Sequence, residues 1–466
     1  MTAFQQQRET ALAREVSFTS ERRGVGLYWE ILRERVSRSP EAGAIFGFVA
    51  VLLFFVIATS LQYNAQGDFT GFRSPQILDA RSVSSVVSNA TSYGIIAVGV
   101  TILMIAGEFD LSVGSILGFT ALVFIIGADR GLGGLVQMLL PQDTVQSLGI
   151  SYTPLPGLIA AAIALCTGAV MGLVNGLMVI STRIPSFIVT LGTLYIYRAF
   201  VLNTIPGGAI ARYLQPPIMV YLHPLVVMGL AAGVVALIAF FSWPAVKYNW
   251  QKYKNGNGTF GPAVRLALIA IVLLAGALIA LSIILRYIGD LSAIVEVPFF
   301  TVLNGQLTDL PGNYLASIIW WFVLAAVFTV ALNQTRFGNA VFATGGNPGA
   351  ARAQGINVNR IKVMAFALSG TLAAVGGLME AARFTVVEPL RGTGYELDVI
   401  AAVVIGGTLL TGGYGSIVGS VLGVLISGIL RTGLVLINVD TNWFRGVLGA
   451  IMIVAVVINT NIRRQR

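Results

Sequence analysis

Residues 95–118 read IIAVGVTILMIAGEFDLSVGSILG, and residues 400–423 read IAAVVIGGTLLTGGYGSIVGSVLG. Without gaps, at an offset of 305 residues, nine of the 24 positions are identical. Each stretch enters as an apolar helix-forming run and is interrupted by glycine. Each then resumes with VGSILG or VGSVLG. The first interruption is Gly107 followed by Glu108, Phe109 and Asp110; the second places Gly412, Gly413 and Gly415 around Tyr414. Interrupted backbone within a bilayer is tolerated only where it is buried in protein, lines a cavity or reaches water. Two such stretches predict a parallel internal repeat, an arrangement in which transporters place the substrate path between the copies.

The rest of the chain has the composition such helices need. Of its 466 residues, 56% are hydrophobic and 11% are charged. Soluble domains carry about 25% charged residues, so this chain cannot coat a water-facing surface of its size. The net charge of +9 is scattered over short loops rather than gathered on one face, which argues against nucleic-acid binding. A single cysteine, Cys166, excludes an internal disulfide; with the single histidine, His223, it also excludes a cluster of Cys and His metal ligands.

A helix needs about 20 apolar residues to cross the hydrocarbon core. Candidate spans lie near 44–62, 83–106, 111–129, 157–181, 185–203, 224–243, 264–285, 314–333, 361–381, 396–411, 416–437 and 444–460. The expected fold is therefore an all-α, polytopic transmembrane helix bundle of about 12 spans. Residues 1–43 form a basic tail, 44–460 the membrane domain and 461–466 a short second tail. The first apolar run has no clear cleavage site and reads as a retained span. Basic residues favour one side: the tail, Arg183, the loop 247–260, the loop 336–362 and the final Arg463, Arg464 and Arg466. That bias predicts both termini in the cytoplasm. The loop KYNWQKYKNGNGTF, 247–260, reads chiefly as a topology anchor at the lipid surface.

Glu108 and Asp110 are the most conspicuous acids near apolar spans. Two readings apply: a cap for the helix beginning near Ser112, or a place in the translocation pathway. Gly413 and Tyr414 hold the matching place in the second copy. Gly168, Gly172 and Gly176 recur every four residues, as do Gly415, Gly419 and Gly423. That spacing puts each trio on one helix face, where a neighbouring helix can approach closely. In the loop 336–362, Gly345, Gly346, Asn347 and Pro348 predict a turn. Ala350 to Gln354 predicts a short helix, stopped by Gly355. No GxxxxGK[ST] motif occurs in the chain, so no ATP site of the P-loop type is expected in it. The short helix reads as a docking element.

These stretches resemble the permeases of bacterial ABC importers for monosaccharides, of the ribose, xylose and galactose type. The resemblance is carried by GEFDLSVGS (107–115), NGLMVISTRIPSFIVTLGTLYIYR (175–198) and RFGNAVFATGGNPGAARAQGINVNRIK (336–362). It continues through ELDVIAAVVIGGTLLTGGYGSIVGS (396–420) and WFRGVLGAIMIVAVVIN (443–459). The extra helix pair within 224–285 is similar to an insertion in the xylose-type members. The resemblance implies an inner-membrane, multi-pass subunit that performs no chemistry and binds no cofactor. It implies a homodimer of permeases, a cytoplasmic ABC ATPase that binds the ATP, a periplasmic sugar-binding protein and surrounding lipid. It also implies that Asn347, Pro348, Ala350, Ala351, Gly355 and Ile356 contact the ATPase. A branched-chain amino-acid or nucleoside permease of the same superfamily is the nearest alternative. An ion-coupled secondary transporter is a further one, although it would normally carry ionisable residues in several spans.

Overall fold

The computed structural model describes residues 41–63, 69–205, 209–222, 295–307 and 311–464, together with three isolated positions within 223–294. The expected pair of spans near 224–243 and 264–285, the basic loop between them and the tail 1–40 lie outside these residues. The described helices, numbered in chain order, are α1 (Ala42–Ser60), α2 (Ala80–Ile105), α3 (Val113–Gln137), α4 (Gln142–Ser147), α5 (Gly157–Thr182) and α6 (Ser186–Thr204). After the undescribed segment come α7 (Phe299–Asn304), α8 (Ser317–Gln334), α9 (Arg336–Gly346), α10 (Pro348–Ala353) and α11 (Val358–Phe384). The last three are α12 (Tyr395–Ile405), α13 (Ile417–Leu436) and α14 (Phe444–Arg464). Six strands of two to four residues form three antiparallel pairs in the connections.

Among the described residues, eight helices are long and apolar enough to cross a membrane: α1, α2, α3, α5, α6, α8, α11 and α13. The span expected at 396–411 differs. Its helix, α12, stops after 11 residues at Ile405. Gly406 and Gly407 follow, and Gly407 has a φ of +91°, which ends the helix as a glycine C-cap does.

Helices α2 and α3 form the centre. The most apolar windows of these helices are 83% and 89% buried, against 17% for α1, whose apolar side chains face outward. A helix buried all round must be surrounded by its own chain. Here α11, α13, α8 and α12 surround α2, and α11, α5 and α6 surround α3. Close approach is achieved by glycine. On α5, a Cβ at Gly172 would strike the carbonyl oxygen of Phe366, and one at Gly176 would lie 3.0 Å from Val363 Cα. Gly168 faces Gly370 and Ala374 in the same way, so the 168–172–176 stripe lies directly on α11. The second stripe packs within its own hairpin: Gly419 on Gly406, Gly423 on Ala402, and Gly415 on Thr408 and Ile105. Missing side chains here let dispersion contacts form between backbones, the main source of helix association in lipid.

The contacts also fix direction. α2 and α12 run towards the end of the bundle that carries residues 336–362, and α3 and α13 run away from it. Thr101 Oγ1 meets Ser420 Oγ at 2.7 Å, while Ala90 packs near Gly428. The two copies of the repeat are thus parallel, and both interruptions lie at one end.

Candidate functional site: the junction of two helix breaks

The first break covers residues 106–112 and the second 406–416. Their entries are built alike. Gly107 N–H donates to Met104 and Glu108 N–H to Leu103; Gly407 N–H donates to Val404 and Thr408 N–H to Val403. Gly107 and Gly407 both take positive φ, +86° and +91°. Helix ends therefore correspond at a spacing of 300 residues, Ile105 with Ile405. Helix starts correspond at 304, Val113 with Ile417. The ungapped offset of 305 aligns the VGS stretches but misplaces the helix ends by five residues, because the second break is the longer.

The first break is pinned by side chains. Asp110 is fully buried, and its Oδ1 accepts from Ser112 N–H at 2.8 Å and from Ser112 Oγ at 2.6 Å. Ser112 occupies the N-cap position of α3 with no side-chain cap bond of its own. Asp110 therefore braces the turn before α3 rather than capping the helix, an Asx-turn geometry. Ser112 Oγ in turn accepts from Asn175 Nδ2 at 2.8 Å, and Tyr197 O–H donates to Asn175 Oδ1 at 3.1 Å. The chain Tyr197, Asn175, Ser112, Asp110 thus links α6 and α5 to the break, with each donor pointing towards the carboxylate. Two further backbone groups of the break are satisfied by the first two turns of α6: Phe109 N–H donates to Ser186 Oγ and Leu111 N–H to Thr190 Oγ1, each at 3.0 Å. Buried N–H groups left without such partners would each cost about 1–3 kcal/mol. Glu108 points the other way, into an ion pair with Lys362 of α11.

The second break is pinned by backbone. Leu409 N–H donates to Tyr414 O at 3.0 Å, closing the loop on itself. Gly413 N–H donates to Ile105 O, the last carbonyl of α2, at 2.8 Å. Gly413 (φ +72°) also lies against Gly346, and Gly412 (φ +80°) against Gly107. Ser416 Oγ reaches Glu41 Oε1 at 2.6 Å. Tyr414 is half-buried.

The α9–α10 corner meets both breaks. A Cβ at Gly345 would overlap Ile105 O and stand 2.5 Å from Gly413 N. The expected turn at 345–348 is tighter than the sequence suggests: α9 runs through Gly346, and Asn347 alone separates it from α10, capping it with a 3.0 Å bond from Ala350 N–H. Asn347, Ala350 and Gly355 are exposed, and Pro348 and Ile356 are partly so. Ala351 is 2% exposed, so its side chain faces the bundle and is not on the surface that a docking partner would touch. Gly355 takes φ +81° in open space, as the stop of α10.

Sequence reasoning missed Asn175, Ser186, Thr190, Tyr197 and Lys362. The available signal was the Ser/Thr pair at i, i+4 in IPSFIVT and an isolated Asn in an apolar helix; nothing local ties them to residues 108–112. A second polar cluster, also missed, lies in the half of the bundle away from the breaks. Ser92 Oγ donates to Glu380 at 2.7 Å, Arg391 pairs with Glu380 at 3.6 Å, and Arg198 donates to the carbonyls of Pro389 and Arg391. Beside it, Tyr93 stacks on Tyr395 and Arg431 pairs with Asp398 at 3.7 Å. No group of three or more metal-ligating side chains occurs among the described residues.

A family profile described as the permease component of the branched-chain amino acid transport system matches residues 82–456. The chain is 31% identical over 429 residues to the xylose transport system permease protein XylH of Escherichia coli strain K12, covering 90% of this chain and 92% of that one. It is 28% identical over 386 residues to the ribose import permease protein RbsC of the same strain, covering 83% and 88%. A shorter match, 45% identical over 157 residues, links it to the probable ABC transporter permease protein YphD, covering 34% of this chain and 46% of that one. No solved structure matches. The profile spans both breaks, the α9–α10 corner and every described helix from α2 to α13, and on that extent the chain belongs to the branched-chain amino acid transport system permease family.

Proposed function

We propose that this chain is the membrane-spanning permease subunit of an ATP-driven importer for a monosaccharide. The observation that carries this reading is the match, over 83–90% of the chain, to two proteins whose names are xylose and ribose permeases. Xylose is the favoured substrate because that relative is matched at 31% identity over the larger share of the chain. The branched-chain amino acid reading draws support from the family description.

In this reading two copies enclose the path, a periplasmic binding protein delivers the sugar, and two ATPase subunits dock at the cytoplasmic end. Asn347, Pro348, Ala350, Gly355 and Ile356 form the docking face, with Ala351 anchoring it from behind. Glu108, Asp110, Ser112, Gly413 and Tyr414 shape the inner end of the path. No bond of the sugar is made or broken. ATP binding draws the docking faces together, and its differential affinity for two arrangements of the bundle drives the switch in access.

The test is uptake of labelled xylose, ribose, fructose, galactose and leucine in a strain lacking this subunit, with and without its restoration. Restored uptake of one sugar, abolished by disabling the partner ATPase, is the expected result. Restored leucine uptake with none of the sugars would replace this reading with the amino-acid one.

A further inference from the structure

We propose that the Glu108–Lys362 ion pair is a positioning latch that carries motion of the α9–α10 corner into the first helix break; this rests on the permease reading above. Glu108 lies in the break after α2, and Lys362 lies in the second turn of α11, nine residues beyond the end of α10. Their side chains are 10% and 20% exposed. The other ion pairs between described residues, Arg130–Asp129, Arg391–Glu380, Arg391–Glu388 and Arg431–Asp398, all lie away from the breaks. A buried pair is rarely retained for stability alone, because an apolar replacement of both partners is often as stable. Removing one partner, by contrast, strands a charge.

The surroundings give the pair its leverage. The first break is suspended between two bodies. On one side α6 holds residues 109 and 111 through Ser186 and Thr190. On the other side α11 holds residue 108 through Lys362. The corner touches the same break through Gly345 against Ile105, and Gly413 N–H ties the second break to that same carbonyl. Corner, first break and second break therefore meet with no side chain between them. Closely packed backbone contacts of this kind shift between discrete arrangements rather than deform. A displaced corner presses directly on Ile105 and Gly413, but residue 108 follows α11 only while Glu108 stays bound to Lys362. Without the pair, the polar tethers to α6 hold the break in place as the corner moves.

The test uses the permease assembled with its ATPase and binding protein in proteoliposomes, measuring sugar uptake and ATP hydrolysis together. Glu108→Gln and Lys362→Met are each expected to lower the sugar imported per ATP by about tenfold or more while hydrolysis continues, since each leaves the other charge unpaired. The exchanged double variant, Glu108→Lys with Lys362→Glu, is expected to recover most of the ratio. Singles with an unchanged ratio would overturn the latch. So would a double variant that regains membrane abundance but stays uncoupled, since that marks a purely structural pair. If the singles do not assemble, the double variant decides alone, because recovery of both abundance and ratio is required. The wild-type assembly run in parallel keeps the two ideas apart: absence of uptake there defeats the sugar reading, whereas uptake with an unchanged ratio in the variants defeats the latch.

Discussion

The two breaks share an entrance and differ in everything after it. Both begin with the same pair of backbone bonds and a glycine of positive φ. The first, seven residues long, is then held by its own carboxylates and by amide, hydroxyl and ammonium side chains from α5, α6 and α11. The second, eleven residues long, is held by glycine backbone pressed against other backbone. A repeat can thus keep the device that stops a helix while exchanging what fills the gap. The side-chain version can be loosened by degrees, one bond at a time. The glycine version has no intermediate setting, because a Cβ added at Gly412 or Gly413 meets main chain.

The largest effect is therefore expected in the second break. Gly413→Val adds a β-branched side chain at φ +72°, with its Cβ 2.5 Å from Gly346 Cα. Backbone strain of that kind costs about 1–3 kcal/mol before the overlap is counted. Little of the variant should elute as a monodisperse peak after detergent extraction; wild-type recovery would show that glycine is not what holds this break. Next comes Asp110→Ala, which deletes two buried hydrogen bonds, strands the donors of Ser112 and should lower stability by about 3 kcal/mol. Asp110→Asn keeps an acceptor for Ser112 and should lose less. Thermal unfolding midpoints in detergent rank the two, and sugar preference should be unchanged in both. A shifted preference in the Asn variant would instead mean that this carboxylate touches the substrate, where burial has it shaping the path from behind.

A smaller loss, about 1 kcal/mol for each orphaned N–H, is expected for Ser186→Ala and Thr190→Val. The same unfolding assay should find the pair additive within about 0.5 kcal/mol if the two tethers act separately; strong coupling would mean that they hold the break as one unit. The smallest effect belongs to Asn347→Ala, which removes an exposed cap worth about 1 kcal/mol to α10 alone. Faster amide exchange confined to residues 348–353, with an unchanged unfolding midpoint, is the expected signature.

Much of this was legible in the sequence. Apolar runs marked each of the eight long helices, since length and composition are what lipid demands. The glycine stripes marked close packing, because spacing by four puts residues on one face. Two readings went astray at the second break: the gapless alignment hid its extra length, and the apolar run carried the expected span through it. In a stretch as rich in glycine as 406–415, four added residues leave no local trace, and the apolar residues within it let the helix expected at 396–411 run six residues past its true end. Ala351 looked like surface because its neighbours are small and polar, yet α10 is a single turn and half of it must face the bundle. The partners of the first break stayed hidden for a different reason. Asn175 lies 63 residues from Ser112, and Lys362 lies 254 from Glu108; no periodicity links positions that far apart.

That last separation has a consequence for biogenesis. Chains emerge at about 5–20 residues per second, so Lys362 leaves the ribosome roughly 10–50 s after Glu108. For that interval α2 and α3 are already threaded, and Glu108 has no cationic partner in the membrane. Ser186 and Thr190 arrive much earlier and can hold the turn while it waits. The order of synthesis therefore divides the first break into an early half, settled within its own hairpin neighbours, and a late half that closes only when the eleventh described helix arrives. Failure to complete α11 would leave a recognisable, charge-bearing flaw for membrane quality control to find.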